Sequence, residues 1–261
     1  QKIDAQISVV DEKLTIEVKK GAISDELRLQ IKENRDEIIN YIKQTRKTIF
    51  NSIPKVKEKT SYKLSSSQRR LWVLSHLEDE NIAYNVPGIY VFEGNLKNEV
   101  LEKAFSTLIE RHEILRTVFR ENETGEIEQQ IHNFADVNFK INYKNLQNED
   151  EKDHEIIKHE VVQPFDLANG RLLRVNLLKT GEETQVLVCV MHHIIVDGWS
   201  MGVIIKELMI LYNTYSEGQS NPLPPLRIQY KDYAEWQQSE LSGTKLIEHK
   251  SYWMNVFSGE L

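Results

Sequence analysis

Residues 185–191 read QVLVCVM, and directly after this run stand His192, His193 and then Asp197-Gly198. No other feature limits the fold as strongly. A short stretch that is apolar at both even and odd positions cannot be a half-exposed strand. It reads as a central strand that needs cover on both faces. Leu172 to Leu178 reads as a second strand. Helical stripes flank the pair. One spans Val100 to Ile114, with apolar residues at 100, 101, 104, 105, 108 and 109. The other follows Ser200, a candidate N-cap, through Val203, Ile204, Leu208, Leu211, Tyr212 and Tyr215. Strands that need cover, mixed with amphipathic helices, place the chain in the α/β (α+β) class.

The chain divides unevenly. In residues 1–48, ISVV (7–10) and LTIEVK (14–19) flank Asp11-Glu12-Lys13, and Leu14, Ile16 and Val18 alternate with polar residues. Period two with a polar turn predicts a hairpin. Gly21 breaks it, and Ser24 caps a helix with Asp25 and Glu26 in its first turn, where the helix dipole favours negative charge. Leu27, Ile31, Ile38 and Ile42 continue an apolar stripe over one or two short helices broken near Asn34. So small a core leaves a strand edge that is either a liability or a docking surface for another strand. Residues 49–63 are lysine-rich, contain Pro54 and hold no period, so they read as a linker; residues 64–261 form the larger domain.

Composition excludes several function classes. A net charge of −7 with no basic block argues against nucleic acid as partner. No stretch approaches the roughly 18 apolar residues of a membrane span, and QKIDAQ at the start is no signal peptide. The first residue is not Met, so a trimmed or internal fragment is expected. The single cysteine, Cys189, lies in the apolar run, so it reads as a buried structural thiol in a reducing, cytoplasmic compartment.

The histidine pair carries the chemistry. Neighbours on a strand point to opposite faces, so His192 and His193 cannot share a metal while the strand persists, and no HExxH or paired-cysteine pattern adds a ligand. No metal is expected. Were the strand to continue, Asp197 would stand ~13 Å from His193. Asp197-Gly198 is a good turn dipeptide, and Gly198 lets backbone or ligand approach closely. Asp197 either turns back onto the histidine or pairs with an arginine elsewhere; a buried carboxylate without a partner favours the arginine. A histidine there, with its ordinary pKa of about 6.5, is suited to proton transfer; a hydrogen-bonded core histidine is the plainer alternative.

Four segments occur in order: SSSQRRLW (65–72), RHEILRTVF (111–119), MHHIIVDGWS (191–200) and YKDYAEW (230–236). Together they resemble the first four signature motifs of the condensation domains of nonribosomal peptide synthetases, over residues 64–261. The resemblance implies the N-terminal lobe of a chloramphenicol-acetyltransferase-like fold, with the second lobe's motifs absent. A complete domain has an active site in a tunnel between its lobes. Donor and acceptor carrier domains would present acyl thioesters on 4'-phosphopantetheine arms, no cofactor being bound by the chain itself, with an adenylation domain downstream in the parent chain. It implies His193 as the active-site residue and Asp197 as a structural aspartate paired with Arg111. His192 and Gly198 would support the site. Arg70 and Arg116 are each open between packing and substrate contact, and Tyr230, Tyr233 and Trp236 read as core. Ser67 and Val196 stand where the family usually has alanine and often has serine.

The first fifty residues resemble the β-hairpin docking domains at the N-termini of synthetase subunits, including tubulysin-type lines. That implies an upstream subunit's C-terminal tail adding as a strand along the hairpin, with Leu14, Ile16, Val18, Lys19 and Lys20 at the interface and the lysines favouring an acidic tail. An epimerisation domain of the same superfamily and a catalytically silent docking module are the competing readings.

Overall fold

The computed structural model describes residues 5–10, 13–18, 24–39, 53–77, 82–94, 96–147 and 152–259. They fall into two units, residues 1–54 and 55–261.

In the first unit β1 (Ala5–Val10) and β2 (Lys13–Val18) form the expected antiparallel hairpin. The register sets Ile7 opposite Ile16 and Val9 opposite Leu14. Helix α1 (Asp25–Glu33) starts at Ser24, whose side chain accepts from the Leu27 N–H. It ends at Asn34, and a short helix α2 resumes at 35–39. Lys19 and Lys20 lie outside the described residues, as does Ile42.

The second unit is built on a four-stranded sheet in the order β4 (Asn85–Glu93), β9 (Thr184–His192), β8 (Leu173–Lys179), β7 (Asn142–Asn145). Only β7 runs parallel to its neighbour. The apolar run lies in β9, and its two parities enter two different cores. Leu187, Cys189 and Met191 join the main core, which also takes Leu101, Phe105 and Leu108 of helix α4 (Asn98–Arg111) and Ile204, Leu208 and Leu211 of helix α6 (Gly198–Ser216). Val188 and Val190 join a smaller core with Leu178 and with Ile156, Ile157 and Val161 of helix α5 (Lys152–Val162). Burial pushes the Cys189 thiol up to about 12, so it stays protonated and inert.

A three-stranded sheet, β3 (Tyr62–Lys63), β6 (Ile127–Ile131), β5 (Thr117–Glu121), stands beside helix α3 (Ser66–Ser75) and helix α7 (Tyr230–Glu240). Here the linker reading of 49–63 is corrected for its second half. Tyr62 is buried and pairs with Gln129, and the Val56 N–H donates to Asp232, which is itself fully buried. From Lys55 the chain belongs to the second unit. Period analysis misses this because a two-residue strand has no period. Helix α8 (Gly243–Val256) closes the described chain with no buried residue.

Candidate functional site

The candidate site is the turn after β9. His192 is the last residue of that strand and is 2% exposed, whereas His193, one residue later, is exposed to solvent. The His193 backbone N–H donates to the Tyr84 carbonyl at 2.8 Å, which pins the start of the turn to the residue just ahead of β4. His192 Nδ1 accepts from the Ile194 N–H at 3.1 Å. Burial, helped by the neighbouring His193, lowers the His192 pKa to about 4 and keeps it neutral.

Asp197 closes the turn. It is the N-cap of α6, and its carboxylate accepts from the Ser200 N–H at 2.7 Å and the Ser200 hydroxyl at 2.6 Å. Those two hydrogen bonds hold its pKa below the usual carboxylate value, with a smaller contribution from His193. The cap is therefore Asp197, three residues ahead of the expected Ser200. Gly198 is the first helical residue, not in the left-handed region, and a Cβ there would meet nothing within 4 Å. Neither the turn dipeptide nor close packing explains it.

The expected Arg111–Asp197 pair is not formed. Arg111 grips Glu207, Nε at 3.0 Å and Nη2 at 3.3 Å, and Nη1 donates to the Pro224 carbonyl at 2.6 Å. His112 Nε2 joins the same carboxylate at 2.7 Å. The cause is helix geometry. Glu207 is ten residues down α6 from Asp197, about 15 Å at 1.5 Å per residue, and the last turn of α4 packs beside the former. Arg116 donates to the His132 carbonyl and lies 3.9 Å from Glu113, which also takes Lys231 at 2.8 Å. Arg70 is exposed, two positions along α3 from buried Gln68 and so on another side of the helix. Of the helix α7 aromatics, Tyr230, Tyr233 and Trp236 are half-buried, and the buried residues are Lys231, Asp232 and Ala234.

Three residues beside the turn, Gln68, Ser65 and Tyr230, form a hydrogen-bond network that the sequence reading does not assign. Gln68 is 1% exposed, accepts from the Ser65 N–H at 3.0 Å, and extends its amide towards Gln129 (3.4 Å) and the Ile194 carbonyl (3.5 Å). Ser65 completes this capping box and shares a 2.9 Å hydrogen bond with the Tyr230 hydroxyl. Burial, chiefly, raises the pKa of Tyr230, and the nearby Asp197 charge adds to it. The first, third and fourth motifs thus meet at one turn. The S-x-x-Q pattern at 65–68 was the available signal. Among the described residues no cluster could hold a metal ion, and no helix is long and apolar enough to cross a membrane.

A four-stranded sheet with helices on both faces and a histidine turn at the end of its central strand defines a class, and comparison with known proteins agrees with it. The condensation domain family model matches residues 58–261, and the TubC N-terminal docking domain model matches residues 1–44. The chain belongs to the condensation domain family and carries a docking domain at its N-terminus. It is 42% identical over 223 residues to gramicidin S synthase 2 of Brevibacillus brevis, covering 85% of this chain and 5% of that protein. It is 38% identical over 216 residues to tyrocidine synthase 3 of Brevibacillus parabrevis, covering 83% and 3%. The chain thus spans a small fraction of the relatives' length. The starter condensation domain of rhizomide synthetase RzmA superposes with a TM-score of 0.69 at 22% identity, over 76% of this chain and 48% of that one, which shows the fold.

Proposed function

We propose that this chain is the part of a nonribosomal peptide synthetase subunit that receives the upstream subunit and joins its cargo to the next residue. The acceptor's amine attacks the donor's thioester carbonyl, the C–N bond forms, and the thiolate of the donor's 4'-phosphopantetheine arm leaves. The observation that carries this reading is His193, exposed on a turn fixed on both sides, by the Tyr84 carbonyl and by the Asp197 cap. The tetrahedral intermediate is zwitterionic until its nitrogen loses a proton. An imidazole within reach takes that proton or orients the amine. General-base help supplies roughly 10²–10⁴-fold, and positioning up to roughly 7–11 kcal/mol. Thioester aminolysis is already downhill, so positioning is the larger share. Carrier domains, the downstream adenylation domain and a cytoplasmic location belong to this reading.

The test is intact-mass detection of dipeptide on the downstream carrier, using the subunit extended past Leu261. Wild type and His193→Ala are compared with both carriers loaded. Product lowered at least 10²-fold in the variant supports the reading. Equal product makes the turn structural, an inverted residue without a new bond indicates epimerisation, and no product in either protein leaves docking alone. For the docking half, reversing Lys19 and Lys20 to glutamate weakens binding of an acidic upstream tail in titration calorimetry; unchanged affinity removes them from the interface.

A further inference from the structure

Between the start of β5, the segment after β6 and the segment leading into β8 lies a cavity of about 210 Å³. Arg116, His132 and Arg171 line it, with an amide from Asn169 and one carboxylate, Asp136. Arg116 is the group that lacks a partner. Its side chain is 14% exposed, and Nη1 donates to the His132 carbonyl. Its Nε is buried and has no hydrogen-bond partner among the described residues. The carboxylate of Glu113 stands 3.9 Å from Nη2, outside hydrogen-bond range, and already pairs with Lys231 at 2.8 Å. A buried cationic donor without an acceptor is costly, and an acceptor entering the cavity would offset that cost.

Arg171 is exposed, and its side chain makes no hydrogen bond or ion pair among the described residues. It also walls a second recess of about 260 Å³ along the start of β8, which Arg174 lines as well. Carbonyls of Glu160, Gln163 and Pro164 take the terminal nitrogens of Arg174, but its Nε is another buried donor without a partner. Glu160 lines this recess too, and it already pairs with Lys144 at 3.7 Å. Two small basic recesses thus meet at Arg171. Each is below the roughly 300–1,000 Å³ of pockets for drug-sized ligands, so an ion of a few heavy atoms suits them. Arginine forks match the oxygens of a phosphoryl group with paired, charge-assisted hydrogen bonds. A chain of net charge −7 repels anions in general, so one that binds is held by local groups.

We infer that these recesses bind a phosphate-class anion, one phosphoryl group at Arg116 and Arg171 and, in a diphosphate, the second between Arg171 and Arg174. The inference is independent of the reading of His193. Titration calorimetry of this chain with sodium diphosphate, free of divalent metal, is expected to give saturable binding at least about fivefold tighter than with phosphate. Arg171→Glu, at an exposed position, is expected to weaken diphosphate at least about tenfold, as loss of a charge-assisted contact requires. Arg116→Lys, which keeps the charge and removes the Nε donor, is expected to weaken it at least about threefold. Where that variant does not fold, Arg171→Glu carries the test. Lys250→Glu makes the same charge change as Arg171→Glu on helix α8 and is expected to leave affinity within about twofold. ADP separates the two sources of the group. Affinity equal to that of diphosphate assigns the site to a nucleotide, at least about tenfold weaker affinity assigns it to the free ion, and either upholds the site. No saturable binding in wild type leaves the recesses to water and overturns the inference. So does an equal loss in Lys250→Glu and Arg171→Glu, which would report net charge alone. Phosphate that binds as tightly as diphosphate overturns the bridge across Arg171.

Discussion

His192 and His193 are the same residue type one position apart, and the fold gives them different chemistry. His192 is sealed behind Phe165 and Tyr84 and kept neutral, whereas His193 meets solvent on the turn. The burial of His192 has a consequence for stability. Its folded pKa of about 4 lies below the unfolded value of about 6.5, so the unfolded chain binds a proton that the native one refuses. This contribution is complete above pH 6.5 and is lost as pH falls towards 4, by on the order of 3 kcal/mol at most. Urea unfolding across that window should show a shallower loss for His192→Gln than for wild type. A parallel pH dependence in the two proteins would mean that other groups carry it. The pair was legible as a pair in the sequence, yet which neighbour faces inward depends on where β9 ends.

At the scale of elements, α4 and α6 are locked by one carboxylate. Glu207 holds both Arg111 and His112, and the three side chains are largely buried. Removing one partner of such a cluster leaves charge without compensation, whereas replacing both by apolar groups is much milder. Glu207→Ala should therefore destabilise by about 3–5 kcal/mol, and Arg111→Met with Glu207→Met by clearly less, both read from denaturant midpoints. If the double variant is as unstable as the single one, packing and not charge is what the clamp supplies. The stripe of α6 was legible from its period, and Ile204, Leu208 and Leu211 are buried as their spacing predicts. The partner of Arg111 was not, because two carboxylates on one helix are equivalent in sequence and only the crossing point of the helices selects between them.

On the scale of the molecule, the boundary between units falls before Lys55, ahead of the boundary the composition indicates. A chain beginning at Lys55 keeps the Val56 bond to Asp232 and the strand at Tyr62–Lys63, and should unfold cooperatively at a temperature close to that of the full chain. One beginning at Leu64 loses both. It strips a hydrogen bond from a fully buried carboxylate, about 1.5–3 kcal/mol, and should melt several degrees lower. Equal melting of the two truncations would show that residues 55–63 add nothing.

Composition and period determined, without any structure, that β9 is covered on both faces and that a hairpin and capped helix precede a larger mixed domain. These are local facts, written as spacing, and each hydrophobic position states its own preference for burial. Tertiary structure alone decided that Asp197 caps a helix while Arg111 finds Glu207, that Gln68 extends towards the Ile194 carbonyl from 126 residues away and Tyr230 meets Ser65 from 165, and that a lysine-rich stretch supplies a strand. Those outcomes depend on distances between elements that the chain brings together only when its core closes, and no residue carries that information by itself.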